Sequence, residues 1–226
     1  PPNKIVIVVT GEPPASIQAE RGNYVRIMLE ALGESWSGPH QALDIRSDGA
    51  LDVDQNDALI ITGSSSSVHE RAPWMLRAEE DLRRLVARGT PVLGVCFGHQ
   101  LLAHALGGEI GQNPRGREMS TVRIERLADD PLFEGVGRAF EANACHSDTV
   151  EQLPAAAQVL ARSDGDPHQC LRFGPLCYGV QFHPEFDGAL MRDYVEARRE
   201  PILAEGLDPE ALRARASDTP EAVQVL

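Results

Sequence analysis

The chain has 226 residues, with 21 Lys and Arg set against 34 Asp and Glu for a formal charge of −13. That length suits one domain whose core folds without a metal or disulfide staple. The acidic balance, with no basic stripe, argues against nucleic-acid backbones and anionic membrane surfaces as partners. Taken in order, Lys4 to Val9 is a short β-branched run that ends at Thr10-Gly11-Glu12-Pro13-Pro14. A continuous apolar run closed by a turn suits a parallel strand buried on both faces. Residues 17–32 read as a helix, with Ile17, Tyr24, Met28 and Leu32 as its apolar stripe and Gly22 as its weak point. Ala42 to Ile45 and Ala58 to Ile61 are the next strands, the latter ending in Thr62-Gly63 and four serines. Ala72 to Arg88 is the clearest helix, opened by Pro73 and closed by Gly89. Pro91 to Cys96 is a strand, and Leu101, Leu102 and Ala105 follow at helical spacing.

Past Gly108 the texture changes. Thr121 to Leu127, Ala139 to Asn143, Gln158 to Ala161, Gln169 to Phe173 and Cys177 to Phe182 read as short meandering strands. Residues 188–200 resume a helix, and Pro209 to Ala216 is a short one. The last ten residues are expected to be weakly ordered. The whole predicts an α/β fold: a three-layer, flavodoxin-like sandwich with a mostly parallel central sheet and helices on both faces. A small antiparallel addition is expected in the C-terminal half. Residues 1–200 form the expected single domain, and 201–226 a helical or weakly ordered extension.

Cys96, Cys145, Cys170 and Cys177 form no C-x-x-C pair, so no metal or other cofactor is expected. No apolar run approaches the ~20 residues of a membrane span, and the N-terminus lacks a signal-peptide pattern. The expected setting is a reducing cytoplasm with free thiols. Lys4 is the only lysine among the 21 basic residues. The arginines are scattered along the chain, which fits coding bias better than a carboxylate-binding cluster.

The sharpest chemical signal is Gly94-Val95-Cys96-Phe97-Gly98 between a strand and a helix. This is the cysteine form of the nucleophile elbow. Its glycines permit a tight turn and close approach of backbone to substrate. The following helix N-terminus presents N–H groups and partial positive charge to a thiolate. The Phe97 N–H is a natural oxyanion donor. A thiol nucleophile needs a base and an orienter. His183 ends a strand, and Glu185 lies two residues on, across Pro184. A carboxylate there can hold one imidazole nitrogen and leave the other for Cys96.

These motifs together resemble the triad-type class I glutamine amidotransferase domain over about residues 4–200. The flanks Ile60 to Ser64, Pro91 to Gly94 and Leu101 to Gly108 also resemble that family, as do His146-Ser147-Asp148-Thr149-Val150 and Gly179 to Phe186. The nearest flavour is the stand-alone relatives of the GMP synthase amidotransferase domain, a group similar to γ-glutamyl peptidases. The resemblance implies that Cys96 attacks a γ-amide to form a γ-glutamyl thioester, His183 moves the proton and Glu185 orients it. It implies backbone oxyanion donors at Gly63 and Phe97, and substrate contacts from Gln100 and the stretch Ala144, Cys145, His146. Thr62-Gly63-Ser64 departs from the family's usual Gly-Gly-Pro, which puts loop shape rather than the Gly63 role in question.

Four readings follow. One is glutamine hydrolysis that hands ammonia to a separate synthase subunit. The second is a self-sufficient γ-glutamyl hydrolase or peptidase acting on a small molecule. A non-catalytic regulatory relative and an unrelated α/β-hydrolase complete the set.

Overall fold

The computed structural model describes residues 2–47, 49–51, 53–54 and 56–226. The first half runs β1 (Ile5–Val9), α1 (Ala15–Arg21), α2 (Tyr24–Leu32), β2 (His40–Asp44), β3 (Ala58–Ile61), α3 (Pro73–Ala87), β4 (Val92–Val95) and α4 (Phe97–Ala105). Seven strands follow: β5 (Glu109–Gln112), β6 (Glu118–Arg126), β7 (Ala139–His146), β8 (Asp148–Gln152), β9 (Gln158–Arg162), β10 (Cys170–Gly174) and β11 (Cys177–Val180). The chain closes with α5 (Gly188–Ala197), α6 (Arg199–Ala204), α7 (Pro209–Arg215) and α8 (Pro220–Val223).

Nine strands form one sheet in the order β2-β1-β3-β4-β11-β10-β9-β6-β7. The five strands from β2 to β11 run parallel. The other four continue the sheet antiparallel. β5 and β8 make a separate antiparallel pair. Successive residues of a strand face opposite sides of the sheet. Accordingly Val6 and Val8 pack with Met75, Leu82 and Leu102 on one face. Ile5 and Ile7 pack with Met28, Leu32 and Ile60 on the other. This two-sided burial is why β1 and β3 read as unbroken apolar runs.

Three local expectations are corrected. The helix expected over 17–32 is two helices, broken where Gly22 takes φ 84°. Asn23 then caps α2 by accepting from the Arg26 N–H at 3.0 Å. The helix expected over 188–200 divides at Arg198. The terminal ten residues, expected to be weakly ordered, are docked instead. Ala222 and Val225 are buried in the cluster that holds Phe133, Val136 and Phe140, and the Ser217 N–H donates to Thr121 Oγ1 at 2.9 Å. The small antiparallel addition that was expected is present as the pair β5 and β8, although neither strand was read from the sequence. These strands are short, and each meets a partner roughly 40 residues away, a pairing that no local pattern marks. No helix among the described residues is long and apolar enough to cross a membrane.

Candidate functional site

β11 comes late in the chain but inserts beside β4, with Val180 opposite Val95. The Cys96 N–H donates to Val180 O at 2.8 Å. Two residues far apart in sequence, Cys96 and His183, therefore leave neighbouring parallel strands at the same carboxyl end. That is the end where open α/β sheets bind ligands.

Cys96 stands between β4 and α4 at φ 52°, ψ −104°. A non-glycine residue there is strained and persists only where its surroundings enforce it. The flanking glycines do so. A Cβ on Gly94 would meet Gly98 O at 2.5 Å, and one on Gly98 would meet Ile61 O at 2.5 Å. The turn thus closes only with glycine on both sides of the thiol. Phe97 opens α4, so its N–H belongs to the first turn, which has no acceptor within the helix. Gly63 abuts the thiol from β3, with its Cβ direction 3.0 Å from His183 Cε1 and 3.9 Å from Cys96 Cβ. The Thr10 hydroxyl lies 2.9 Å from Thr62 O and 3.1 Å from Gly63 O, which pins this loop.

His183 Nδ1 is 2.8 Å from Glu185 Oε1, and both residues are buried. The His183 N–H donates to Asn143 O at 2.7 Å, which fixes the backbone against β7. Its ring stacks on Phe186 with centroids 4.0 Å apart. Burial pulls the imidazole pKa down, but the Glu185 carboxylate and the Cys96 sulfur outweigh it and hold it well above the usual value. With Nδ1 engaged by Glu185, Nε2 is the nitrogen left for Cys96.

Gln100 is buried, and its amide donates to Asp148 O at 2.9 Å and to Gln181 Oε1 at 3.0 Å. Its own carbonyl oxygen has no hydrogen bond among the described residues. Gln181 in turn directs its amide at Cys96 Sγ, 3.6 Å away. Sequence reasoning missed Gln181; the available signal was a polar residue between Val180 and Phe182 at the end of a buried strand. Ala144 is fully buried in β7, and Cys145 O lies 3.8 Å from Cys96 Sγ. His146 lines the same cavity, but its ring is committed elsewhere. Nδ1 is 2.9 Å from Asp148 O, and Nε2 is 3.0 Å from Glu118 Oε2. Both partners are acceptors, an arrangement that favours the doubly protonated ring, and the two contacts brace the β7–β8 turn. Burial opposes that charge, and Glu118 with Asp166 raises the pKa nonetheless. The serine run, given no role from sequence, ties into the site through Ser67 Oγ, which donates to Asp148 Oδ2 at 2.8 Å. The cavity over Cys96 measures about 180 Å3, a size for a small molecule, and also admits Tyr24, Tyr194, Arg117 and Arg198 to its walls.

The family model for glutamine amidotransferase class-I matches residues 39–198. The chain belongs to the class I glutamine amidotransferase family. Among its relatives, a glutamine-hydrolysing GMP synthase of Thermomicrobium roseum is 39% identical over 132 residues, which is 56% of this chain and 23% of that protein. One subunit of the glutamine-hydrolysing GMP synthase of Pyrococcus abyssi is 44% identical over 96 residues, 42% of this chain and 50% of that one. γ-Glutamyl peptidase 3 of Arabidopsis thaliana is 28% identical over 184 residues, 77% of this chain and 74% of that protein. The matches therefore span only 23% to 50% of these GMP synthase relatives' own lengths. The crystal structure of a glutamine amidotransferase from Thermotoga maritima superposes with a TM-score of 0.76 at 21% identity, covering 95% of this chain and 90% of that one. The likeness extends the family's three-layer fold to nearly the whole chain.

Proposed function

We propose that this family member hydrolyses the γ-amide of glutamine, or a related γ-glutamyl bond, through a γ-glutamyl thioester on Cys96. His183 takes the thiol proton as Cys96 Sγ attacks the amide carbon. The tetrahedral oxygen is met by the Gly63 and Phe97 N–H groups. Collapse breaks the C–N bond, and the same proton leaves with the amine. Water then enters on the imidazole side, gives its proton to His183, and releases glutamate and the thiol. Glu185 keeps the His183 ring in the tautomer and orientation that both steps need. Gln100 and the backbone of Ala144, Cys145 and His146 form the wall against which the glutamyl part rests.

The observation that carries this reading is the convergence of a strained Cys96 with a His183 whose Nδ1 is 2.8 Å from Glu185 Oε1. The two come from different strands, so their meeting is not a by-product of local sequence. The test is glutamate release from glutamine and from γ-glutamyl dipeptides, with denaturing capture of the thioester by mass spectrometry. Cys96→Ala should abolish both the adduct and the turnover. Turnover that survives Cys96→Ala would end the proposal.

The Pyrococcus relative is named as one subunit of a synthase, which supports hand-over of ammonia to a separate synthase chain. The peptidase alignment, which spans more of both chains, supports a hydrolase that needs no partner. Glutaminase activity that rises only when a synthase is added would select the first.

A further inference from the structure

The cavity over Cys96 has two unlike sides. One is formed by Gln100 and the Asp148 backbone. On the other, His183 stacks on Phe186 and Phe186 packs on Tyr194, with centroids 4.6 Å apart. Tyr194 lies on α5, and Arg198 caps that helix four residues later, its N–H donating to Tyr194 O at 3.1 Å. Residues four apart share a helix face. Tyr194 and Arg198 both line the cavity.

The Arg198 guanidinium differs from those around it. Arg199 is held by Glu196 and Glu210, and Arg213 by Glu196. Arg117, the other arginine of the cavity, grips Glu205 through two bonds of 2.8 and 2.7 Å. Arg198 is half-buried, and its side chain has no ion pair or hydrogen bond among the described residues. In a chain with 34 carboxylates, its side chain lines the cavity and pairs with none of the acids among the described residues. The field of that charge reaches the site. Burial pushes the Cys145 thiol pKa up, and His183, Arg117 and Arg198 pull against it. A second donor stands nearby. The Tyr194 and Tyr24 hydroxyls are 2.8 Å apart and both residues are buried. One hydrogen bond between two hydroxyls leaves one proton over for a ligand.

A planar guanidinium beside a spare hydroxyl matches a carboxylate. Its position says which carboxylate. His183 delivers the proton to the departing nitrogen, so the leaving group lies on the His183 side of the scissile bond. Tyr194 reaches the His183 ring through Phe186, and Arg198 follows Tyr194 by one helical turn. Ammonia, the leaving group of glutamine, offers it nothing. We propose that Arg198, with the Tyr24–Tyr194 pair, binds a carboxylate on the leaving group, so that the preferred substrates are γ-glutamyl amino acids. This rests on the Cys96 amidase reading above. The chemistry is unchanged: the C–N bond breaks, water supplies the second oxygen of glutamate, and a free amino acid departs in place of ammonia.

The experiment compares γ-glutamylglycine with γ-glutamylmethylamide, which shares the scissile bond and lacks the second carboxylate. Wild-type protein is expected to favour γ-glutamylglycine at least tenfold in kcat/KM, mainly through KM. In Arg198→Met the ratio should fall towards one, and Arg198→Lys should recover part of it. Melting temperatures check that the variants fold, and the wild-type ratio stands without them. A wild-type ratio near one, or a ratio unchanged in Arg198→Met, would overturn the proposal. Equal KM increases for both substrates would overturn it too, because Arg198 would then hold the carboxylate of the glutamyl part. Those outcomes leave Cys96-dependent turnover intact. Absence of Cys96-dependent turnover on either substrate would instead remove the amidase reading, and this proposal with it.

Discussion

Gly98→Ala sets two effects against each other at the elbow. Gly98 is the second residue of α4, and alanine in a helix is favoured over glycine by about 1 kcal/mol. On propensity alone the substitution stabilises. The space denies it. The new Cβ would stand 2.5 Å from Ile61 O and 2.9 Å from Ile61 Cβ and Cγ2, whereas ordinary contact begins at 3.4 Å. Restoring contact to the carbonyl requires α4 and β3 to part by about 0.9 Å. Ile61 cannot yield, because it is 1% exposed and is paired with Gly94 on the next strand. Overpacking of this kind costs ~1–3 kcal/mol, and a backbone obstacle places it at the upper end. The net is a loss of roughly 1–2 kcal/mol, or about 2–8 °C in Tm for a chain of this size. The same displacement separates Cys96 from Gly63, two residues beyond Ile61. Misplacement by about 1 Å costs on the order of a hundredfold in rate. Urea unfolding at constant m-value reads the first effect, and glutamate release reads the second. A variant that is more stable than wild type, or that turns over at the wild-type rate, would refute the argument.

Two further outcomes are expected. His99 is wholly buried, and burial pushes its pKa down to about 3. The unfolded chain binds a proton there below about pH 6.5 and the folded chain does not, so stability is lost as pH falls from 6.5 towards 3. The loss is roughly 2 kcal/mol at pH 5. His99→Leu should therefore lose about that much less than wild type between pH 7 and pH 5 in urea unfolding, and identical losses would discard the assignment. Deletion of residues 217–226 removes Ala222 and Val225 from the core and uncovers the aromatic cluster at Phe140. At ~2–4 kcal/mol for the lost burial, Tm should drop by at least about 4 °C by calorimetry. An unchanged Tm would mean that the segment supports nothing.

The local features of this protein were legible because their causes are local. β1 and β3 are apolar at every position because both their faces are covered, and a run of that kind needs no partner to be recognised. The glycines around Cys96 mark a turn that only glycine can make, and Pro184 between His183 and Glu185 marks a carboxylate folded back on its histidine. Residue type and spacing thus marked Cys96, His183 and Glu185 as the thiol, base and orienter of the proposed mechanism. What sits beside what was decided by strand order. β11 is inserted next to β4 by long-range pairing, and that register brings His183 to Cys96 and Gln181 to its sulfur. Docking of the C-terminal segment likewise depends on a groove made by β7, which no property of the segment reveals. Arg198 is the sharpest case. In sequence it is one of many scattered arginines, next to an identical neighbour. Only packing shows that Arg199 spends its charge on Glu196 and Glu210 while Arg198 lines the cavity with no ion pair among the described residues. Pairing of charges is a property of three-dimensional neighbours, and a sequence counts charges without pairing them.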